Sequence, residues 1–290
     1  MFHRPPDADT DALALQYRTH AGFKAALRDY CTGMVDAPAD AWPFAKLFNQ
    51  FARYMVCYLL IHNYFWWRLA DGPLPTLTAL QRFVPSSPRQ TAGLVAALKA
   101  GKLVVSEDAP EDRRSKLLRP ADMVIGAVAG SALGFLSAAG RLEGADLCGF
   151  IAGRPEAQGE LVYRSAAFVL AHGTLIDPFP RVLGFARRDC GYLVLCAVMA
   201  AHYSAIEGGV PLPLTQKALA DRFRISAAHV GNLFNEAQRE RWFSVAPPGR
   251  LTRMDPSLVD EFELWASWQM AHYRGLAEAM ANARAASDTA

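Results

Sequence analysis

A chain of 290 residues, 52% hydrophobic and 20% charged, has the composition of a folded globular protein, with room for two cores at roughly 100–200 residues per domain. A formal net charge of +2 and a pI near 8.3 exclude a pervasive basic field that would hold nucleic acid non-specifically, so any such binding must come from local patches. The polar, acidic N-terminus MFHRPPDADTDA lacks the apolar segment of a secretory signal, and the five cysteines, Cys31, Cys57, Cys148, Cys190 and Cys196, have no CxxC spacing. Reduced thiols in a cytoplasmic protein are expected, four of them in apolar surroundings.

In chain order, an N-terminal helix is expected near 11–30, followed by an aromatic helix, RYMVCYLLIHNYFWWRLADG (53–72). Its aromatic stripe reads first as core. A pocket for an apolar or aromatic effector is the second reading, with Tyr58, His62 and Trp66 as ligand-binding candidates.

From Thr76 the chain reads TLTALQRFVPSSPRQTAGLVAALKAGKLV, and from Thr215 it reads TQKALADRFRISAAHVGNLFNEAQRERWF. The two align without a gap at an offset of 139, with Thr76/Thr215, Ala79/Ala218, Leu80/Leu219, Ser87/Ser226 and Leu94/Leu233 identical. Upstream, the apolar helix candidates 53–72 and 191–209 place Cys57 and Cys196 at the same offset. Downstream, KLLRPAD (116–122) corresponds to RLTRMDP (250–256), now offset by 134 because the second loop is shorter. A repeat of this length is a whole domain.

Within the second copy Thr215 caps a helix over QKALADRF, Arg224-Ile225 makes a tight turn, and Ser226 caps a second helix with Val230, Leu233, Phe234 and Ala237 on one face. In the first copy Ser87 is the cap and Pro88 takes the first helical position. Two short helices joined in this way are a helix-turn-helix. The β-like pair Leu103-Val104-Val105 and Lys116-Leu117-Leu118 then forms a wing whose tip carries Arg113 and Arg114, suited to the negative potential of a minor groove.

This order, and the segment EDAPEDRRSKLLRPAD (107–122) in particular, resembles the multiple-antibiotic-resistance (MarR) family of bacterial winged-helix regulators, whose wings carry an Asp-x-Arg pattern that Asp112 and Arg114 match. The resemblance covers residues 76–122. It implies DNA binding, dimerisation through terminal helices and small molecules bound between those helices and the DNA-binding lobe. The second wing, SVAPPGRLT, has a Pro-Pro-Gly turn and no Asp-x-Arg, so the resemblance assigns no minor-groove contact to it.

The expected fold is therefore mainly α: tandem winged-helix repeats forming an intramolecular pseudo-dimer with a helical, dimerisation-like seam. The first repeat spans 1–145, with its helix-turn-helix at about 76–103 and wing at about 103–119. The second spans 146–290, with the corresponding parts at about 215–242 and 243–253. The seam would take helices over 121–140 and 256–284, with N-terminal helices near 11–30 and 160–172. In MVIGAVAGSALGFLSAAG (123–140), Gly126, Gly130 and Gly134 would let a partner helix approach. The segment reads as a buried helix, at the lower limit of a membrane span and without an aromatic belt or basic flank.

The N-terminal part of a recognition helix meets base edges. In the first copy that selects Ser86, Ser87, Arg89 and Gln90, with Arg113, Arg114 and Lys116 on the wing. In the second it selects Ser226, His229 and Asn232, with Arg222 and Arg224 toward phosphates. Ser87 and Ser226 also read as caps, and Arg239 and Arg241 as partners of Glu236 or Glu240 rather than DNA contacts. The partner expected is double-stranded DNA bearing an asymmetric pseudo-palindromic site, with a small-molecule effector and further self-association as additional expectations.

Metal-ligand spacing, phosphate loops and nucleophile elbows are not found, and His62, His172, His202 and His272 lie on separate helices. Neither an enzyme nor a cofactor is expected. The alternative is an interaction or scaffold module in which DNA binding is weakened or lost.

Overall fold

The offset that aligns the two sequence copies also relates their secondary structure. The computed structural model describes residues 8–36, 48–109, 115–207, 209 and 212–288. It is mainly α, 68% helical with two small sheets. Helices α1 (Ala8–Thr19) and α2 (Phe23–Val35) precede α3 (Phe51–Leu69). The first copy continues through α4 (Leu77–Gln81), α5 (Pro88–Ala100), an antiparallel hairpin of β1 (Val104–Asp108) and β2 (Lys116–Pro120), and the long α6 (Asp122–Glu143). After α7 (Pro155–His172) and α8 (Pro180–Ala186), the same order returns as α9 (Gly191–Glu207), α10 (Gln216–Phe223), α11 (Ala227–Arg239), β3 (Phe243–Ala246), β4 (Arg250–Met254) and α12 (Pro256–Asp288). The starts of α4, α5 and β1 fall 139 residues before those of α10, α11 and β3, and the starts of β2 and α6 fall 134 before β4 and α12.

The local bonds repeat with the elements. Thr76 Oγ1 accepts the Ala79 N–H at 3.1 Å, and Thr215 Oγ1 accepts that of Ala218 at 3.0 Å. Ser87 and Ser226 cap the next helices in the same way, each satisfying an N–H that the first turn leaves unpaired. Both of those helices end on a left-handed residue, Lys102 with φ 57 and Arg241 with φ 60. The next N–H turns back, Leu103 to the Leu98 carbonyl and Trp242 to the Ala237 carbonyl, each at 2.8 Å. The segment ahead of each short helix is bound to the hairpin, Leu118 N–H to the Pro75 carbonyl at 2.7 Å and Leu214 N–H to the Gly249 carbonyl at 3.0 Å.

Whereas the sequence repeat divides the chain at 145/146, packing gathers it into two discontinuous units. The first-copy unit comprises Phe51–Leu133, Leu147–Thr174 and the residues from Tyr273, and the second-copy unit comprises the residues up to Gln50, Gly134–Asp146 and Leu175–His272. Each hairpin unit thus includes helices that lie, in sequence, beside the other copy. In the first-copy unit α7 packs on α3, close enough that a Cβ at Gly159 would overlap the Phe65 ring. Tyr58 donates to Ser165 Oγ at 2.8 Å across this contact. In the second-copy unit α2 packs on α9, with Leu27, Cys31, Leu195 and Cys196 fully buried and the Tyr30 and Tyr192 hydroxyls bonded to each other.

Helix α6 is, among the described residues, the helix long and apolar enough to cross a membrane by length and composition. Its most apolar window has mean hydropathy 1.7 and is 56% buried within the protein. The expected glycine face holds only in part. A Cβ at Gly134 would press on Tyr30 at 2.9 Å and one at Gly126 would make ordinary contact with Gln158, but Gly130 is exposed with nothing near. The cysteines are free thiols, all buried except the half-buried Cys148. Burial pushes the Cys57 thiol up to about 12, which leaves it protonated and inert as a nucleophile.

Candidate nucleic-acid interface

In the first copy, the turn between α4 and α5 is held by side chains that the sequence nominates for base contact. Ser87 and Gln90 form a reciprocal capping box: Ser87 Oγ accepts the Gln90 N–H at 3.3 Å, and Gln90 Oε1 accepts the Ser87 N–H at 3.2 Å. Ser86 Oγ shares a 2.8 Å bond with Thr91 Oγ1, whose own residue is buried. Gln81 Nε2 donates to the Pro88 carbonyl at 2.9 Å, bracing the turn from the other side. Arg89 is exposed. On the hairpin, Lys116 pairs with Asp108, its register partner on β1, and Arg119 pairs with Glu107 at 2.6 Å. Arg113 and Arg114 lie outside the described residues.

In the second copy, Ser226 Oγ accepts the His229 N–H at 3.1 Å, and His229 Nε2 lies 2.8 Å from the Asp189 carbonyl. A carbonyl only accepts, so Nε2 carries the proton and the ring is committed within the fold. Arg222 reaches the Val35 carbonyl at 3.2 Å and the Asp36 carboxylate, fastening α10 to the end of α2. Arg224 caps α10 in the left-handed region, φ 52, and is exposed. Asn232 is exposed on α11.

Of the ion pairs expected for Arg239 and Arg241, that of Arg239 with Glu240 is present, whereas Glu236 turns to another partner. Glu236 is engaged by Arg188 at 2.6 Å from the loop before α9, a partner that helical spacing within α11 does not reveal. Arg239 Nε lies 3.5 Å from its neighbour Glu240, and both side chains are largely exposed.

Exposed polar residues outside the set expected to touch DNA are Asn235 and Arg239 on α11 and the pair Arg250 and Arg253 on β4. Their signal was present. Asn232, Asn235 and Arg239 stand at i, i+3 and i+7, which is one helix face, and residues 242–254 contain no carboxylate.

The effector candidates of α3 sit inside the first-copy unit. Tyr58 is buried and bonded to Ser165. His62 is buried beside Asn63 Oδ1 at 3.2 Å, with the Trp66 and Tyr163 rings at 5.5 and 5.4 Å. Trp66 is half-buried, and its ring lies where a Cβ on Gly72 would fall. A separate open cleft of about 540 Å³ lies in the second-copy unit between α9 and β4, lined by Ala201, His202, Leu212, Leu251 and Met254 among others. Burial, with Lys24 nearby, holds His202 below its ordinary pKa. Among the described residues, no group of three or more His, Cys, Asp or Glu is placed to hold a metal ion.

Comparison of the chain with protein-family models, curated proteins and solved structures gave no match.

Proposed function

We propose that the protein is a sequence-specific DNA-binding regulator, a fused pair of winged-helix heads acting as an intramolecular pseudo-dimer. The observation that carries this reading is the twofold occurrence of one unit: capped short helix, tight turn, capped second helix, left-handed stop, antiparallel hairpin, long helix. A short helix, turn and second helix followed by a hairpin is suited to place one helix in a major groove and the hairpin on the flanking backbone. The MarR-like segment 107–122 supports it from sequence. The distribution of helices between the two units supports the pseudo-dimer, because each unit takes a packing helix from beside the other copy. A cytoplasmic location and modulation by a small apolar or aromatic molecule belong to the same reading.

One observation favours the alternative of an interaction module. The hairpin β1–β2 pairs its described cations with its own carboxylates, which weakens that copy as a phosphate-binding surface. Selection from randomised duplex DNA with the purified chain, followed by anisotropy titration at low and moderate salt, separates the two. A bound motif with affinity falling steeply as salt rises is expected of the regulator, and no salt-sensitive duplex binding is expected of the module.

A further inference from the structure

The two copies share one order of elements and differ in what equivalent faces expose. On α11 the exposed row is Asn232, Asn235 and Arg239. At the equivalent positions of α5, 139 residues earlier, stand Gly93, Ala96 and Ala100, also exposed. The first copy therefore presents a smooth face there, without a side-chain donor or acceptor, where the second presents two amides and a guanidinium.

The hairpins differ in the same sense. Lys116 and Arg119 of β2 are paired with Asp108 and Glu107 of β1. Their equivalents on β4, 134 residues later, are Arg250 and Arg253, both exposed. The positions equivalent to the two β1 carboxylates are occupied by Ala246 and Pro247. The nearest carboxylate in sequence, Asp255, accepts from the Ser257 hydroxyl at 2.7 Å and from its N–H at 3.1 Å, and it also interacts electrostatically with Arg181 and Arg253. On these faces the second copy thus exposes two amides and three guanidiniums, with Glu240 beside Arg239 and Asp255 near Arg253. The first copy has small residues on its helix face and pairs the described cations of its hairpin.

We propose that base sequence is read by the second copy alone: Asn232 and Asn235 read adenine-bearing base pairs, Arg239 extends their row toward the groove edge, and Arg250 and Arg253 hold the backbone phosphates. The first copy adds sequence-independent contact. This rests on the DNA-binding reading above. An asparagine amide matches the donor and acceptor of adenine in the major groove as a bidentate pair. Three residues of helix advance about 4.5 Å, close to one base step of about 3.4 Å, so the two amides address neighbouring base pairs. The Asp-x-Arg wing points to the first copy, whereas the exposed chemistry points to the second as the reading head.

The test uses the full chain and a duplex selected from a random pool, titrated by anisotropy against a scrambled duplex at several salt concentrations. N232A/N235A is expected to lower the preference for selected over scrambled DNA by at least about tenfold, with the salt slope retained. R250A/R253A is expected to weaken both duplexes alike and to flatten the slope by about two. R89A is expected to leave the preference unchanged. Because all five side chains are exposed, an unaltered melting temperature confirms that each variant is folded. A retained preference in N232A/N235A, or a preference lost in R89A, overturns the assignment to the second copy while leaving DNA binding standing. Absence of salt-sensitive duplex binding by the unmodified chain overturns the regulator reading and this inference with it.

Discussion

Lys102 and Arg241 hold the same left-handed backbone conformation, φ 57 and 60, at equivalent points of the two copies. In each, the following N–H closes back on the helix, and a second bond ties the strand start to the long helix: Ala121 N–H to the Leu103 carbonyl at 2.9 Å, and Asp255 N–H to the Trp242 carbonyl at 2.8 Å. Neither is glycine, although an L-residue in this region costs about 1–2 kcal/mol. Lys102→Gly is expected to relieve part of that cost, offset by the greater freedom of glycine in the unfolded chain, and to leave stability equal or higher by up to about 1 kcal/mol. Lys102→Val is expected to lower it, because a β-branched residue tolerates positive φ worst. Urea unfolding of the two variants checks this, and the order should hold at Arg241.

Packing of α7 on α3 depends on Gly159. Gly159→Ala is expected to destabilise the protein by about 1–3 kcal/mol, the cost of forcing a methyl group into a filled core, since the ring of Phe65 already occupies the space. Phe65→Leu in the same chain should recover part of the loss. Thermal unfolding of the single and double variants measures the coupling, and simple additivity would remove the contact as its cause.

The sequence places Arg222 toward phosphate, yet its guanidinium is engaged by Val35 and Asp36. Arg222→Ala should therefore lower the melting temperature, by the equivalent of about 0.5–1.5 kcal/mol for a partly exposed pair and one backbone bond. The salt slope of DNA binding should stay as it is. A flattened slope with an unchanged melting temperature would return the residue to the interface.

Burial holds the pKa of His62 below its usual value near 6.5. Between the folded and unfolded values the unfolded chain binds more protons, so this residue contributes stability at neutral pH that is lost as pH falls. His62→Phe removes the titration. The stability difference between wild type and variant is expected to be larger at pH 7 than at pH 5.5, within the one-proton limit of about 1.4 kcal/mol per pH unit. Urea titrations of both proteins at the two pH values test it, and an unchanged difference would show that His62 titrates alike in both states.

The elements of each copy were legible because their signals are local. Thr76, Ser87, Thr215 and Ser226 cap helices whose apolar residues recur at helical spacing, and the caps act within one turn of chain. The hairpin strands were legible in the same way, although β1 runs on to Asp108 and β2 to Pro120, beyond the short apolar runs that announced them. Site residues were less so. Exposure of Asn232 could be read from its helix face, but the engagement of His229 by the Asp189 carbonyl and of Arg222 by Asp36 joins residues tens to hundreds of positions apart.

The sequence by itself determined the repeat, its offsets, its caps and turns, and the absence of carboxylates from residues 242–254, since all of these depend on near neighbours or on composition. Tertiary structure decided which helices share a core and which polar side chains are spent on holding the fold. Only there does Gly159 meet Phe65 and α2 settle against α9. Burial and pairing are properties of groups brought together across the chain, and no local pattern specifies them.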